Sequence, residues 1–183
     1  MSPEEIRAAL ENLGATRVAQ PDYAVRGVHV DALVPAERLR ETVQALRDRD
    51  FLIDHVTAVD AAPQLLIVYH FSHVAGGCRV ALKLLTEREA PVAPSVHDLY
   101  PGANWHERET HDFYGVVFEG HPDLSPLILP EDAGDLRPLR KDENSLKGLA
   151  ELIPEFFTAA PEGGEDKPRK PRPMAEKPVE GDT

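Results

Sequence analysis

The sequence predicts an α/β fold, a mixed sheet with helices packed on it, followed by an extended Pro-rich C-terminal arm. Apolar residues alternate with polar ones in several short runs and recur at helical spacing in others, which predicts both strands and helices. The prolines predict the arm, because four of the 17 precede residue 90 and the other thirteen follow it. At 183 residues the chain is long enough for one medium-sized core.

The N-terminal part is predicted to form a helix, a strand and a second helix. Ser2 opens a capping box with proline at the first helical position, so we expect a helix over residues 3–13. Residues 28–32 alternate apolar and polar side chains, as in a half-buried strand. After Pro35, apolar residues recur at helical spacing, which predicts an amphipathic second helix.

A β-hairpin is predicted in the middle of the chain. Residues 51–59 have the pattern of a strand, and residues 65–71 form a continuous apolar run that is typical of a central strand buried on both faces. Gly76 and Gly77 then turn the chain. Residues 79–84 alternate again, so we expect this last strand to have one covered face and one face exposed to water.

The second half of the chain is expected to contain one further helix and a short strand. The helix is predicted from Trp105 to Tyr114, with Asn104 as its N-cap and Gly115 as its left-handed stop, and the strand ends at Phe118. The sequence thus divides into an α/β domain, an extended docking arm and a flexible tail: residues 1–118, 119–160 and 161–183. The middle segment is called the C-terminal arm below.

Composition excludes several classes of function. The 20 Lys+Arg stand against 32 Asp+Glu, and a net charge of −12 disfavours binding to a phosphate backbone. The single cysteine, Cys78, excludes an intrachain disulfide and a CxxC site. No secretory signal is expected, and no stretch approaches the ~20 apolar residues that a spanning helix needs. We therefore expect no nucleic-acid partner and no direct membrane span.

Motifs for catalysis or cofactor binding do not occur in the sequence. It contains no GxxxxGK[ST], GxGxxG, GxSxG or HExxH pattern. Two pairs of nearby histidines would point in different directions on a strand or a helix, so neither forms a local metal chelate: His70 with His73, and His106 with His111. We expect no catalytic, cofactor-binding or metal site on this chain, although a site built from distant histidines stays open.

The densest charge lies in the predicted helix from Trp105 to Tyr114. Residues four apart on an exposed helix can form ion pairs, and two such pairs occur, Glu107 with His111 and Arg108 with Asp112. Glu109 and Asp112 repel each other at a spacing of three. A cation could relieve that repulsion, either from another protein or from Arg137, Arg140 or Lys141. The residues alone leave open an exposed, salt-bridged helix and a docking site.

A series of short motifs runs from this helix into the C-terminal arm. They are Asn104-Trp105, Glu107-Arg108-Glu109, Asp112, Gly115-Val116, Phe118-Glu119-Gly120-His121-Pro122-Asp123-Leu124, Leu129-Pro130-Glu131-Asp132 and Pro138-Leu139-Arg140-Lys141-Asp142. In this order and at this spacing they resemble the C subunit of respiratory complex I, the proton-pumping NADH:quinone oxidoreductase. The resemblance implies docking or framework roles, without catalysis, for ten residues: Glu107, Arg108, Glu109, Asp112, Gly120, His121, Pro122, Arg140, Lys141 and Asp142.

The resemblance also implies a function for the whole chain. It implies a redox-inactive component in the peripheral part of a translocase-class enzyme complex, on the cytoplasmic side of the cell membrane. Its partners would be the quinone-site D subunit and the iron–sulfur B subunit. No cofactor would lie on this chain, and FMN and iron–sulfur clusters would lie on other subunits.

Two alternatives to this function stay open. Similar subunits occur in membrane-bound energy-converting hydrogenases and in complex-I-like enzymes supplied by reduced deazaflavin or ferredoxin, so the electron donor is not fixed. The residues alone also allow a free-standing enzyme or a small-molecule binding module built on the α/β domain.

Overall fold

The fold was analysed in a computed structural model, which describes residues 2–157. In chain order its helices and strands are α1 (Pro3–Asn12), β1 (Arg17–Ala19), α2 (Tyr23–Arg26), β2 (Val30–Leu33), α3 (Ala36–Arg47), β3 (Phe51–Val59), β4 (Ala61–Ala62), β5 (Gln64–His73), β6 (Arg79–Glu87), β7 (Val92–Pro94), α4 (Ala103–Tyr114), β8 (Val117–Glu119), β9 (Lys147–Gly148), α5 (Leu149–Leu152) and α6 (Pro154–Phe157). A single 3-10 turn, Glu143–Ser145, precedes β9.

Five strands form one sheet in the order β1-β2-β6-β5-β3. β2 and β6 run parallel, whereas the other neighbouring strands run antiparallel. Helices pack on this sheet, so the predicted mixed α/β architecture is confirmed. Two short parallel pairs lie outside the main sheet, β4 with β9 and β7 with β8.

The locally encoded elements form where the sequence predicts them. At the start of α1, the Glu5 amide donates to the Ser2 hydroxyl at 3.3 Å, and the Ser2 amide donates to the Glu5 carboxylate at 2.8 Å. The predicted capping box is therefore confirmed. Gly76 and Gly77 take φ values of 77° and 84° between β5 and β6, a left-handed conformation that glycine adopts without strain. The predicted hairpin is also confirmed.

One face of the sheet packs on α1, α3 and α4 and forms the larger core. Among its largest enclosed side chains are Phe51, Tyr69 and Phe71. Helix α4 lies across β3, and its Thr110 hydroxyl lies 3.2 Å from the backbone carbonyl of Val56 and 2.7 Å from that of His106. This packing fixes the helix that carries the densest charge in the sequence.

The other face of the sheet is also covered, which corrects the sequence prediction for β6. Ala81 and Lys83 were expected to face water, but both are buried. Leu149, Ile153 and Phe156 from the end of the described chain pack over this face in a second core. Lys83 can be buried there because its ammonium group pairs with the buried carboxylate of Asp31.

Helix α4 begins earlier than predicted. Asn104 was expected to be its N-cap, but Asn104 lies inside the helix, and Gly102 occupies the cap position without a side-chain hydrogen bond. The end of the helix is as predicted, because Gly115 has a φ of 76° and its amide donates to the His111 carbonyl at 2.8 Å. Substituting Gly115 would also bring a Cβ atom within 2.9 Å of Nε of Arg137.

The C-terminal arm has little regular structure over its first part. Residues 120–142 contain turns and bends but no helix or strand, and β9, α5 and α6 follow. Helix α5 ends before Pro154, which is the first residue of α6. Residues 158–160 of the arm and the predicted tail, 161–183, lie outside the described residues. The division into domain, arm and tail stays a prediction.

Candidate functional site

Asp112, in the last turns of α4, binds the first part of the C-terminal arm. Its Oδ2 atom accepts hydrogen bonds from three successive backbone amides, at 2.9 Å from Leu127, 2.8 Å from Ile128 and 3.1 Å from Leu129. The side chain is buried. Burial alone would raise the pKa of Asp112, but the three amide donors outweigh it and lower the pKa. Asp112 is therefore an ionised anchor for the arm.

Arg108 binds the arm one helical turn before Asp112. Its Nε atom donates to the carbonyl of Ser125 at 3.0 Å, and Nη2 donates to the carbonyl of Pro126 at 2.9 Å. The guanidinium group also lies over the ring of Trp105, 5.8 Å from its centroid. Arg108 therefore donates to backbone carbonyls of the arm, whereas Asp112 accepts from its backbone amides.

Glu107 faces the interior of the domain. Its Oε1 atom accepts from the amide of Val96 at 2.8 Å, and its Oε2 atom accepts from the hydroxyl of Ser95 at 2.5 Å. The side chain is fully buried. Burial raises the pKa of Glu107 to about 7, although the two hydrogen bonds oppose the shift.

The turn at the root of the C-terminal arm comprises Gly120, His121 and Pro122. Gly120 has a φ of 83°, which only glycine tolerates readily. The His121 amide donates to the carbonyl of Phe118 at 3.1 Å, and its Nδ1 atom accepts from the Asp123 amide at 3.1 Å. Nε2 of His121 points inward and lies 3.9 Å from Oε2 of Glu107.

A second anchor for the arm is Asp60, whose carboxylate is fully buried. It accepts from Nε and Nη2 of Arg88 at 2.9 and 3.0 Å and from the backbone amide of Lys141 at 2.7 Å. Nε of Arg140 lies 3.4 Å away. Burial alone would raise the pKa of Asp60, but the Arg88 side chain, the Lys141 amide and Arg140 lower it. Asp60 is not among the residues predicted from the sequence, because an isolated aspartate at a strand end carries no local signal for a distant partner.

Arg140 is bound on three sides by the domain. Besides its contact with Asp60, Nη2 donates to the carbonyl of Arg88 at 2.7 Å and Nη1 donates to the carbonyl of Tyr114 at 3.3 Å. The resemblance implies a docking or framework role for Arg140. Its contacts here lie within the chain, and contacts with another protein stay a prediction. Asp142 is exposed and caps the 3-10 turn through its backbone carbonyl, which accepts from the Ser145 amide at 2.8 Å.

The ion pairs proposed within α4 were wrong, because their members bind elsewhere. His111 contacts the carbonyl of Val116 through Nδ1 at 2.9 Å, and Glu107 binds Ser95 and Val96. The charge of Asp112 is met by backbone amides of the arm instead of a cation placed between it and Glu109. Glu109 is half-buried. Helix α4 is therefore not a freely exposed, salt-bridged helix.

The outer surface of the arm exposes large apolar side chains. The exposed fractions are 55% for Ile128, 54% for Leu136 and 47% for Leu139. They belong to a segment that is attached to the domain at Asp112 and Asp60, so the backbone that carries them is held in place. Burial of such side chains against another protein is favourable, by roughly 25 cal/mol per Å² of apolar area.

Two kinds of feature are absent from the described part of the chain. Within residues 2–157 there is no group of three or more His, Cys, Asp or Glu side chains placed to hold a metal ion. None of the helices in that range combines the length and the apolar character needed to cross a membrane.

Comparison with known proteins identifies relatives of the chain. It is 42% identical over 129 residues to the NADH-quinone oxidoreductase C subunit of Moorella thermoacetica, a match that covers 67% of this chain and 86% of that protein. The protein of the same name from Roseiflexus castenholzii is 40% identical over 116 residues, and the match spans just under two thirds of it, 66%. The C subunit of F(420)H(2) dehydrogenase from Methanosarcina mazei is 36% identical over 120 residues, 63% of this chain and 75% of that protein.

Two solved structures share the fold. A chain of the membrane-bound sulfane sulfur reductase, an archaeal respiratory membrane complex, matches with a TM-score of 0.65 and 27% identity, covering 91% of this chain and 97% of that one. A trypsin-resistant fragment of Nqo5, residues 1–134 of that protein, matches with a TM-score of 0.57 and 26% identity. It covers 68% of this chain and 100% of the fragment.

A family model matches the greater part of the chain. The model describes the 30 kDa subunit of respiratory-chain NADH dehydrogenase, and it matches residues 32–147, from β2 to the start of β9. The match includes α4, the turn Gly120–Pro122 at the root of the arm, and the two anchors of the arm, Asp60 and Asp112. The resemblance to the C subunit of complex I is confirmed, and the chain belongs to the family of the respiratory-chain NADH dehydrogenase 30 kDa subunit.

Proposed function

We propose that this chain is a redox-inactive docking subunit of a proton-translocating NADH:quinone oxidoreductase. In this role it holds the quinone-site D subunit and the iron–sulfur B subunit in register, so that electrons pass from NADH to quinone. FMN and the iron–sulfur clusters lie on other subunits, and this chain contributes no catalytic centre. The complex places it on the cytoplasmic side of the cell membrane, as a peripheral component.

The observation that carries the proposal is the combination of fixed backbone and exposed apolar side chains in the C-terminal arm. Asp112 and Asp60 attach the arm to the domain through backbone amide hydrogen bonds at 2.7–3.1 Å, and Asp60 also pairs with Arg140 at 3.4 Å. Between these anchors the arm presents Ile128, Leu136 and Leu139 to solvent. A segment ordered before binding loses little conformational entropy when it docks, which favours a stable interface.

The experiment is purification of the respiratory complex through an affinity tag on this chain. Mild detergent preserves the complex, and the co-purifying chains, flavin and iron are then identified. We expect the D and B subunits, FMN and iron to co-purify with the wild-type chain. We expect them to be lost with Leu136→Asp, because this substitution places a charge in the proposed interface. Val74→Asp is the matched control, because Val74 is 64% exposed in the β5–β6 turn. Assembly of Leu136→Asp at the wild-type level would contradict the proposal.

A second candidate is the equivalent subunit of a related respiratory complex. The 36% identity to the C subunit of F(420)H(2) dehydrogenase favours an equivalent place in a complex-I-like enzyme supplied by reduced deazaflavin. The match to a chain of a membrane-bound sulfane sulfur reductase supports an equivalent place in a respiratory membrane complex of another kind. The same purification distinguishes them, because the co-purifying donor-binding protein and its cofactor identify the donor.

A further inference from the structure

The outer face of helix α4 presents an aromatic side chain and a carboxylate, Trp105 and Glu109. Trp105 is the single tryptophan of the chain, and it is 60% exposed. Residues four apart lie on the same side of a helix, so Trp105 and Glu109 are neighbours on this face. The buried residues of α4 include Ala103, Glu107 and Thr110, which lie on the other side of the helix. Trp105 and Glu109 therefore face away from the core.

The C-terminal arm borders this face of α4. Arg108 donates to two backbone carbonyls of the arm, at 3.0 and 2.9 Å, and its guanidinium group lies 5.8 Å from the centroid of the Trp105 ring. Asp112, which accepts from three amides of the arm, is three residues after Glu109 and so lies on the adjoining side of the helix. Trp105 and Glu109 therefore lie beside a segment whose backbone is already fixed.

Glu109 lacks a cation of its own in the described part of the chain. Its side chain is half-buried, and no described residue binds its carboxylate by an ion pair or a hydrogen bond. A cation from Arg137, Arg140 or Lys141 was one expectation from the sequence. Arg137 instead donates to two backbone carbonyls of the arm, and Arg140 lies 3.4 Å from the carboxylate of Asp60. The side chain of Lys141 is exposed and does not pair with Glu109.

The histidine nearest in charge to Glu109 does not supply the missing cation. Glu109 acts electrostatically on His55 of β3 and on Tyr114. Burial and the charge of His106 lower the pKa of His55, although Asp54 and Glu109 oppose the shift, so the ring is neutral at neutral pH. The other source expected from the sequence, a cation from another protein, is therefore the one that remains.

The chemistry of this face limits what kind of protein surface can cover it. Tryptophan is among the residues that contribute most to protein interfaces, because its ring buries a large apolar area. A carboxylate that loses water without gaining a cation costs free energy, so a purely apolar surface is disfavoured beside Glu109. The net charge of −12 also attracts basic surfaces. An apolar surface that carries a basic side chain satisfies both residues.

We propose that Trp105 and Glu109 form a docking site for another protein of the complex. That protein places an apolar surface over the indole ring and a lysine or arginine side chain against the carboxylate of Glu109. The site extends the exposed surface of the C-terminal arm onto helix α4. This inference rests on the proposed function as a docking subunit, and it adds the chemistry that the partner surface must have.

Photo-crosslinking identifies what covers this face. A photoreactive phenylalanine derivative replaces Trp105 in the tagged chain, the purified respiratory complex is irradiated, and the crosslinked peptide is identified by mass spectrometry. We expect an adduct with another subunit, in a segment that carries a lysine or arginine. An adduct only within this chain, in an assembled complex, would overturn the inference and leave the proposed function standing. A wild-type chain that assembles with no partner would overturn both.

Charge reversal at position 109 tests the ion pair. The measured quantity is the rate at which excess untagged wild-type chain displaces the tagged chain from the purified complex. Trp105→Ala and Glu109→Arg should each be displaced roughly tenfold faster than the wild type, because each loses a contact at the centre of the site. The matched control is Glu37→Arg, which reverses an exposed charge on α3 and should be displaced at the wild-type rate.

A charge swap separates the ion pair from a merely structural role of Glu109. The basic residue in the crosslinked segment of the partner is changed to glutamate, and this should restore slow displacement to Glu109→Arg. Displacement of Glu109→Arg at the wild-type rate, or no restoration by the swap, would contradict the proposal. Circular dichroism of each full chain checks that it folds. If a variant does not fold, the crosslink from position 105 decides the question.

Discussion

Replacing Asp112 by alanine should release the first part of the C-terminal arm from helix α4. The substitution removes the acceptor of three amide hydrogen bonds of 2.8–3.1 Å. A hydrogen bond to a charged group contributes about 1.5–3 kcal/mol, but the three amides regain water when the arm separates, so the contributions do not add fully. We expect the free energy of local opening to fall by about 3 kcal/mol, which corresponds to an increase of roughly 150-fold in the open population.

Amide hydrogen exchange measures this opening at the three donors themselves. The amides of Leu127, Ile128 and Leu129 should exchange roughly 150-fold faster in Asp112→Ala, while amides in β5 keep their wild-type rates. Glu109→Gln is the control on the same helix and should leave all three rates unchanged. Equal rates in Asp112→Ala and the wild type would refute the assignment of Asp112 as an anchor, and faster exchange throughout the sheet would instead indicate global destabilisation.

Three further predictions concern stability. Asp60→Asn leaves Arg88 and Arg140 without their buried counter-charge and should cost about 3–5 kcal/mol in chemical denaturation. Phe156→Ala should cost a similar amount, about 3–5 kcal/mol, because Phe156 is 1% exposed in the second core. The lowered pKa values of Asp60 and Asp112 stabilise the fold above ~pH 4, and unfolding followed by circular dichroism should show this contribution being lost as the pH falls further.

The elements with strong local signals could be predicted from the sequence. The capping box at Ser2 specifies where α1 begins, because the hydroxyl and the carboxylate satisfy each other's amides within one turn. The glycines at 76 and 77 and the flanking alternation specify the β5–β6 hairpin in the same way. In each case the interacting residues are close in the sequence, so the pattern contains the necessary information.

The elements that depend on distant contacts could not be predicted in this way. The outer face of β6 was expected to be exposed because Lys83 alternates with apolar residues. Its cover, Leu149 to Phe156, comes from the far end of the described chain. Likewise, Glu107 has the spacing of an exposed ion pair with His111, yet it binds Ser95 in the interior. Spacing on a helix shows which side chains share a face, but it does not show what packs against that face.

In the candidate site, too, the sequence motifs identified residues but not the contacts that those residues make. The resemblance to the complex I family identified ten residues of this region, including Asp112 and Arg140, from the order of short motifs. It did not indicate that Asp112 binds three amides of the arm, or that Arg140 approaches Asp60, about eighty residues earlier in the sequence. Asp60 itself was missed. A motif therefore indicated which residues matter, and only the structure indicated what each of them contacts.

Docking of the C-terminal arm is tested most directly by photo-crosslinking from its outer surface in native membranes. A photoreactive amino acid replaces Leu136, which is 54% exposed, and the same amino acid replaces Val74 in a control chain. If the arm docks as proposed, a covalent adduct forms between position 136 and another protein of the respiratory complex, and none forms from position 74. Crosslinks from position 136 only within this chain, in membranes where the complex is assembled, would contradict it.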